Sequence, residues 1–241
     1  MIKFRSLLTK NKIIYKNLSP LYDRLLYYKM LNKGTFSQHK EDVEILRLLK
    51  KYNIKGIYID VGSNHPFKIS NTYLLYLNGF NGICIDPLPK FKKLYEKYRP
   101  NDIFECACVD ERNLDLPFYE FESSVLSTLD KELADQYVIQ GYRYLKEIKI
   151  VTKTLDSILE SYKVKMPISI ISIDVEGHEL SVLKSINLDN YCPSYICLEA
   201  ITADGNKNHE AISYLERNGY DIEVDLGLNL LFRRKAIRGN T

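Results

Sequence analysis

The nine residues SIDVEGHEL, positions 172–180, close the apolar run 168–173 and place Asp174, Glu176, His178 and Glu179 within six positions. Charged groups enter a folded interior only when they are paired or put to use. Carboxylates and an imidazole together can take and return protons, hold a cation, or orient a charged ligand. An unperturbed imidazole titrates near physiological pH, which makes His178 a candidate general base. Asp174 and Glu176 are two positions apart, on the same side of an extended chain. Either can accept a proton, pair with an ammonium group or bind a metal. Gly177 lets the chain turn sharply there. Glu179 suits the first turn of a following helix, where the macrodipole favours an acid.

Two other apolar runs end in polar residues. The first ends Asp60-Val61-Gly62-Ser63-Asn64-His65-Pro66, and Gly62 allows a tight turn and close approach to a ligand. The dinucleotide fingerprint G-x-G-x-x-G would need glycines at 64 and 67, where this chain has Asn64 and Phe67. A pyrophosphate needs that glycine-lined helix start; a ligand without phosphates does not. The second run ends at Asp86, 24 residues after Gly62, where an acid can accept both ribose hydroxyl protons. Together these ends describe a site for an adenosyl group without a diphosphate, and S-adenosyl-L-methionine fits that description. Ala107, in Cys106-Ala107-Cys108-Val109-Asp110, is small enough to lie against a flat adenine; core packing is the competing reading.

These residues need elements to hold them. Hydrophobic periodicity predicts strands over 57–61, 82–86, 103–109, 168–173 and 195–199, alternating with helices. Helices are predicted over 40–52, 70–77, 87–99, 154–162, 179–185 and 208–218, with Asn71 and Thr72 as caps of the second. Residues 122–150 read as a loop, a short helix near 129–137 and a strand near 148–152. Residues 220–225 and 228–233 form a hairpin around Gly227. This order predicts a three-layer αβα sandwich, α/β in class, with a mostly parallel sheet and an antiparallel C-terminal hairpin. In such sheets ligands bind beyond the carboxyl ends of the strands.

The stretches YIDVGSNHP (58–66), SNTYLLY (70–76), GICIDPLP (82–89), SIDVEGHEL (172–180) and ICLEA (196–200) together resemble the FkbM-type S-adenosylmethionine-dependent methyltransferases. SQHKED (37–42) and SSVLSTL (123–129) are similar to that family's upstream and mid-domain elements. The resemblance spans about residues 36–200. It implies a class I, Rossmann-like methyltransferase fold with seven strands. It also implies methyl transfer to a hydroxyl of a sugar, glycan, nucleotide-sugar or related small metabolite. By this resemblance Asp60, Gly62 and Asn64 line the cofactor site, Asp86 holds the ribose, and Asp174 lies near the methionine end or the transferring methyl. The family often has an aromatic residue where this chain has His178.

A sugar hydroxyl is a poor nucleophile while protonated, so the reaction needs a base or a metal. Asp174, Glu176 and His178 are the catalytic candidates. Related sugar methyltransferases hold magnesium with an Asp and a Glu at strand ends, followed by a further Asp. Asp174 and Glu199 occupy such places here, but Glu199 is followed by Ala200. His65, Gln38 and Asp42 either border the site or only shape its loops.

The chain has 241 residues, is 45% hydrophobic and carries a net charge of +3. That is enough for one large core. No run of 18 apolar residues suggests a membrane span, and no apolar segment with a cleavage site suggests a secretory signal. Five cysteines, odd in number and without C-x-x-C, read as buried reduced thiols of a cytoplasmic protein. Residues 1–40 hold nine Lys/Arg against the single acid Asp23. Residues 1–35 are therefore expected to form a basic helical extension, 36–235 the catalytic domain and 236–241 a tail. The extension either packs one face on the domain, forms an oligomer contact or meets a membrane surface peripherally. Basic charge confined to the termini, without a D/N-P-P-Y motif, argues against nucleic acid as partner. The alternatives are a nicotinamide-dependent oxidoreductase, disfavoured by the missing glycines, and a non-catalytic adenosyl-binding module.

Overall fold

A computed structural model of the chain describes residues 24–201 and 206–235. Seven strands build the main sheet: β1 (Ile57–Val61), β2 (Gly82–Ile85), β3 (Ile103–Glu105), β7 (Ile168–Ile173), β8 (Tyr195–Glu199), β9 (Tyr220–Asp225) and β10 (Asn229–Arg234). Every residue of β1, β2 and β7 is buried, as expected for strands covered on both faces. The order is β3-β2-β1-β7-β8-β10-β9. Neighbouring strands run parallel from β3 to β8, while β10 is antiparallel to both β8 and β9.

Strand alternation sends side chains to two cores. On one face Ile59, Ile171 and Ile196 pack beneath helices α6 (Leu155–Ser161), α7 (Glu179–Lys184) and α9 (His209–Arg217). On the other, Tyr58, Cys84, Ile170 and Cys197 meet α2 (Glu41–Lys51), α3 (Tyr73–Leu77) and α4 (Lys92–Tyr98). The result is the predicted three-layer Rossmann-like sandwich with seven strands and an antiparallel C-terminal pair. Its order reverses at β1, between β2 and β7, so the crevice for a ligand opens there.

The run 103–109, read as one strand, splits. β3 stays in the main sheet, whereas β4 (Cys108–Val109) pairs with β6 (Tyr144–Lys153) in a second sheet of order β4-β6-β5, with β5 spanning Asp115–Phe121. An apolar run states that a strand exists, but not which neighbour it pairs with. The chain breaks at Cys106, which is exposed; Cys192 is exposed too, and Cys84, Cys108 and Cys197 are buried free thiols. The expectation of five buried thiols therefore holds for three. The helix near 129–137 lies at Lys131–Ile139 (α5), capped by Asp130 accepting from Leu133 N–H. A short helix, α8 (Leu188–Tyr191), was not expected.

Asn71 and Thr72 do not cap α3. Ser70 Oγ accepts from the N–H groups of Thr72 and Tyr73, and the predicted caps turn to the sheet. Asn71 donates to Ser172 Oγ at 3.2 Å and Thr72 donates to Asp60 Oδ2.

Of the basic extension, residues 1–23 lie outside the described residues, as does the tail from 236. Residues 24–33 form helix α1. Its Tyr27 joins Phe36, Phe67, Tyr73 and Tyr98 in an aromatic cluster, with ring centroids 5.4–6.4 Å away. Among the described residues no helix is long and apolar enough to cross a membrane.

Candidate active site

A cleft, open to solvent at its mouth, lies beyond the carboxyl ends of β1, β2, β7 and β8. The small sheet and the segment 124–129 cover it. Gly62, Asn64, Asp86, Ala107, Asp174, Glu176, His178 and Glu199 all line it. These residues are spread over 138 positions, and the sheet brings them to one end.

At the β2 end, buried Asp86 is held by backbone. Its Oδ2 accepts from Asn64 N–H at 3.0 Å and its Oδ1 from Leu88 N–H at 2.8 Å. Each oxygen keeps a further lone pair for a ligand hydroxyl. Burial pushes this carboxyl up to about 7, against the pull of those two N–H groups. Asn64 sits at φ 47° and accepts from Ser124 Oγ at 3.0 Å, which ties the first strand's loop to the cover.

At the β7 end one carboxylate oxygen from each of Asp174, Glu176 and Glu199 lies within 4.8 Å of the other two. Burial and mutual repulsion raise Asp174 and Glu199, and a hydrogen bond joins them, so the pair retains a proton at neutral pH. Glu176 is raised chiefly by burial, and its Oε2 accepts from Tyr137 OH at 2.6 Å. Its backbone, at φ 55°, is held by Thr128 Oγ1 donating to its carbonyl at 2.8 Å. Glu179 does not line the cleft. It is buried, accepts from Gly177 N–H at 3.0 Å and closes the turn into α7.

Gly62 has a structural reason. Its φ is +80°, and a Cβ there would lie 1.7 Å from the Asp174 carbonyl oxygen. The glycine is needed because the end of β7 crosses it, beside any approach to a ligand. Gly62→Ala should cost at least about 2–3 kcal/mol and displace Asp174. Urea unfolding checks this, and wild-type stability would refute it.

Asp60 is absent from the residues lining the cleft. It is buried beneath the loop, bonded to Thr72 and 4.0 Å from Arg99 Nη1. Gln38 lines the cleft, but Asp42 is buried, accepting from Thr35, Phe36 and Ser37 before α2. His65 lies off the cleft. Its Nδ1 accepts from the N–H groups of Phe67 and Lys68, and burial pushes it down to about 3. Sequence reasoning missed Tyr137, Thr128 and Arg99. Tyr137 is 39 positions from Glu176, too far for any local pattern to pair them.

Fold and site together define a class I methyltransferase arrangement: a reversed seven-strand sheet with an acid at the end of its second strand and acids at its fourth and fifth in spatial sequence. Residues 60–222 match the family model of the methyltransferase FkbM domain, and the chain belongs to this family of methyltransferases. A solved structure of a DUF574 family protein from Streptomyces avermitilis is similar to it at 11% identity, covering 81% of each chain, with a TM-score of 0.37. No curated protein sequence matches the chain.

Proposed function

We propose that the protein transfers a methyl group from S-adenosyl-L-methionine to a hydroxyl of a sugar, glycan or related small metabolite. The observation that carries this is the shared cleft: the hydroxyl-accepting Asp86 at one end and the cluster Asp174, Glu176, His178 and Glu199 at the other. In this reading Asp86 takes the ribose hydroxyls, while Gly62 and Asn64 form the wall beside them. Ala107 lies against the adenine. Asp174 orients the charged methionine end. When bound, the cofactor supplies an electrophilic methyl on a sulfonium. The chain's part is to align the acceptor oxygen with it and to take the oxygen's proton. We assign this activity to residues 36–235, with 1–35 as a basic extension and 236–241 as a tail.

A second reading concerns the metal. Asp174 and Glu199, with oxygens this close, could hold Mg²⁺ in place of their shared proton, with waters completing the shell. Against the oxidoreductase reading, Asn64 and Phe67 stand where a pyrophosphate cradle needs glycine.

Thermal unfolding with S-adenosylmethionine, S-adenosylhomocysteine or NAD, each with Mg²⁺ or EDTA, tests these readings together. A ligand at about 100 times its Kd stabilises the native state by about 2.7 kcal/mol. Both adenosyl ligands should raise the Tm and NAD should not. Stabilisation by NAD alone would sink the proposal. An adenosyl effect unchanged by EDTA would remove the metal.

A further inference from the structure

His178 stands at the N-cap position of α7, yet its side chain makes no capping hydrogen bond. Its ring reaches across to Asp110, 68 positions earlier, with Nε2 at 2.5 Å from Oδ2. Asp110 is firmly placed. It is 4% exposed, its N–H donates to the Lys153 carbonyl at 3.0 Å, and its Oδ1 accepts from Arg112 N–H at 3.1 Å. With a neutral ring facing an ionised carboxylate, which can only accept, the ring's proton sits on Nε2. The lone pair is then on Nδ1, which has no hydrogen-bond partner among the described residues. His178 lines the cleft, as do Asp174 and Glu176.

The other acids of the cleft have partners of their own. Asp174 is bonded to Glu199, and Glu176 accepts from Tyr137. His178 alone of the three candidates presents a side-chain lone pair fixed in tautomer by a buried acid. We propose that Asp110 is the positioning residue of the reaction. It holds His178 so that Nδ1 accepts the proton of the acceptor hydroxyl, while the Nε2 proton stays in the bond to Oδ2. This rests on the methyltransferase reading of the cleft and adds the base and its partner to it. A tie between the small sheet and α7 would explain the contact as well, but it would not need a tautomer.

Asp110→Asn separates the two. Arg112 N–H still requires an acceptor, so the amide oxygen takes the place of Oδ1 and the NH₂ group faces the imidazole. That moves the ring proton to Nδ1 and removes the lone pair from the base. The tautomer is read on ¹⁵N-histidine-labelled full-length protein with S-adenosylhomocysteine, by long-range ¹H–¹⁵N correlation. The His178 signal is assigned by its loss in His178→Gln. Wild-type His178 should carry its proton on Nε2, and Asp110→Asn should carry it on Nδ1. A wild-type ring protonated on Nδ1 overturns the proposal and needs no folded variant. With a panel of methyl glycosides as acceptors, Asp110→Asn should lower kcat by about 10²–10⁴-fold. KM and S-adenosylhomocysteine affinity should stay within about threefold. Turnover within about threefold of wild type, or an unchanged tautomer in the variant, also overturns it. Failure of the wild-type protein to bind S-adenosylhomocysteine in calorimetry strikes the parent reading instead, so the two failures are distinguishable.

Discussion

Asp86→Ala should weaken S-adenosylhomocysteine binding by about 10²–10³-fold. Hydrogen bonds to a charged carboxylate contribute about 1.5–3 kcal/mol each, and two ribose hydroxyls are at stake. At 1.4 kcal/mol per tenfold, losing both gives at least that range. The variant has a second readout in pH. Folded Asp86 ionises near 7, because burial penalises its charge, whereas an exposed aspartate ionises near 3.9. The folded state therefore binds this proton more tightly than the unfolded chain. Asp86's own contribution to unliganded stability falls as the pH rises from about 4 through about 7 and is lost above it, while buried His65, pushed down to about 3, contributes in the opposite direction. Removing Asp86 should take this falling component out of the pH dependence, while those of Asp174, Glu176 and Glu199, raised in the same direction, remain. Calorimetry reads the affinity and urea unfolding at several pH values reads the slope. Wild-type affinity in Asp86→Ala would remove this residue from the cofactor site.

Arg99→Met should cost about 3–5 kcal/mol, the range for breaking a buried ion pair from one side. Arg99 is fully buried. Its Nε donates to Asp102 Oδ2 at 2.6 Å, Nη2 to Thr72 Oγ1 at 2.9 Å and Nη1 to the Pro66 carbonyl at 3.3 Å. Tyr58 and Tyr95 place their rings 5.2 and 5.3 Å from the guanidinium. Methionine fills much of the volume but leaves Asp60 and Asp102 buried without a cation. Asp60 is already raised by burial, and Arg99 is the main force opposing that. The same guanidinium holds Pro66 and Thr72, on either side of the loop that brings Ile69 to the cleft. Ligand affinity should therefore fall with stability. A loss below about 1 kcal/mol in urea unfolding would show that this network carries little.

How much of this was legible beforehand follows from where each signal sits. Gly62 was visible because a glycine between a buried strand and a polar loop is a local anomaly. The structure gives it a nearer cause, the Asp174 carbonyl oxygen where a Cβ would stand. Asp86 and Glu199 were visible as charges closing apolar runs. Asp60 looked the same on that basis, yet it lies under Arg99, because a strand residue's side depends on which helices cover each face. His178 drew attention by its type, and its tautomer was invisible, since the acid that sets it is on another sheet. The break of 103–109 was hidden for a similar reason: strand propensity is local, but pairing is a competition between β2 and β6.

The sequence by itself determined the strands, most of their connecting helices and the polar residues at their ends. These are written in periodicity and in turn residues, over windows of a dozen positions or fewer. It also carried enough motifs in order to point to the family. Only the tertiary structure decided that Asp110 meets His178, that Tyr137 meets Glu176 and that Arg99 neutralises Asp60. Such pairs join residues about 40 to 70 positions apart. No period in the chain encodes them, and they exist only once the sheet has closed and its two cores have packed.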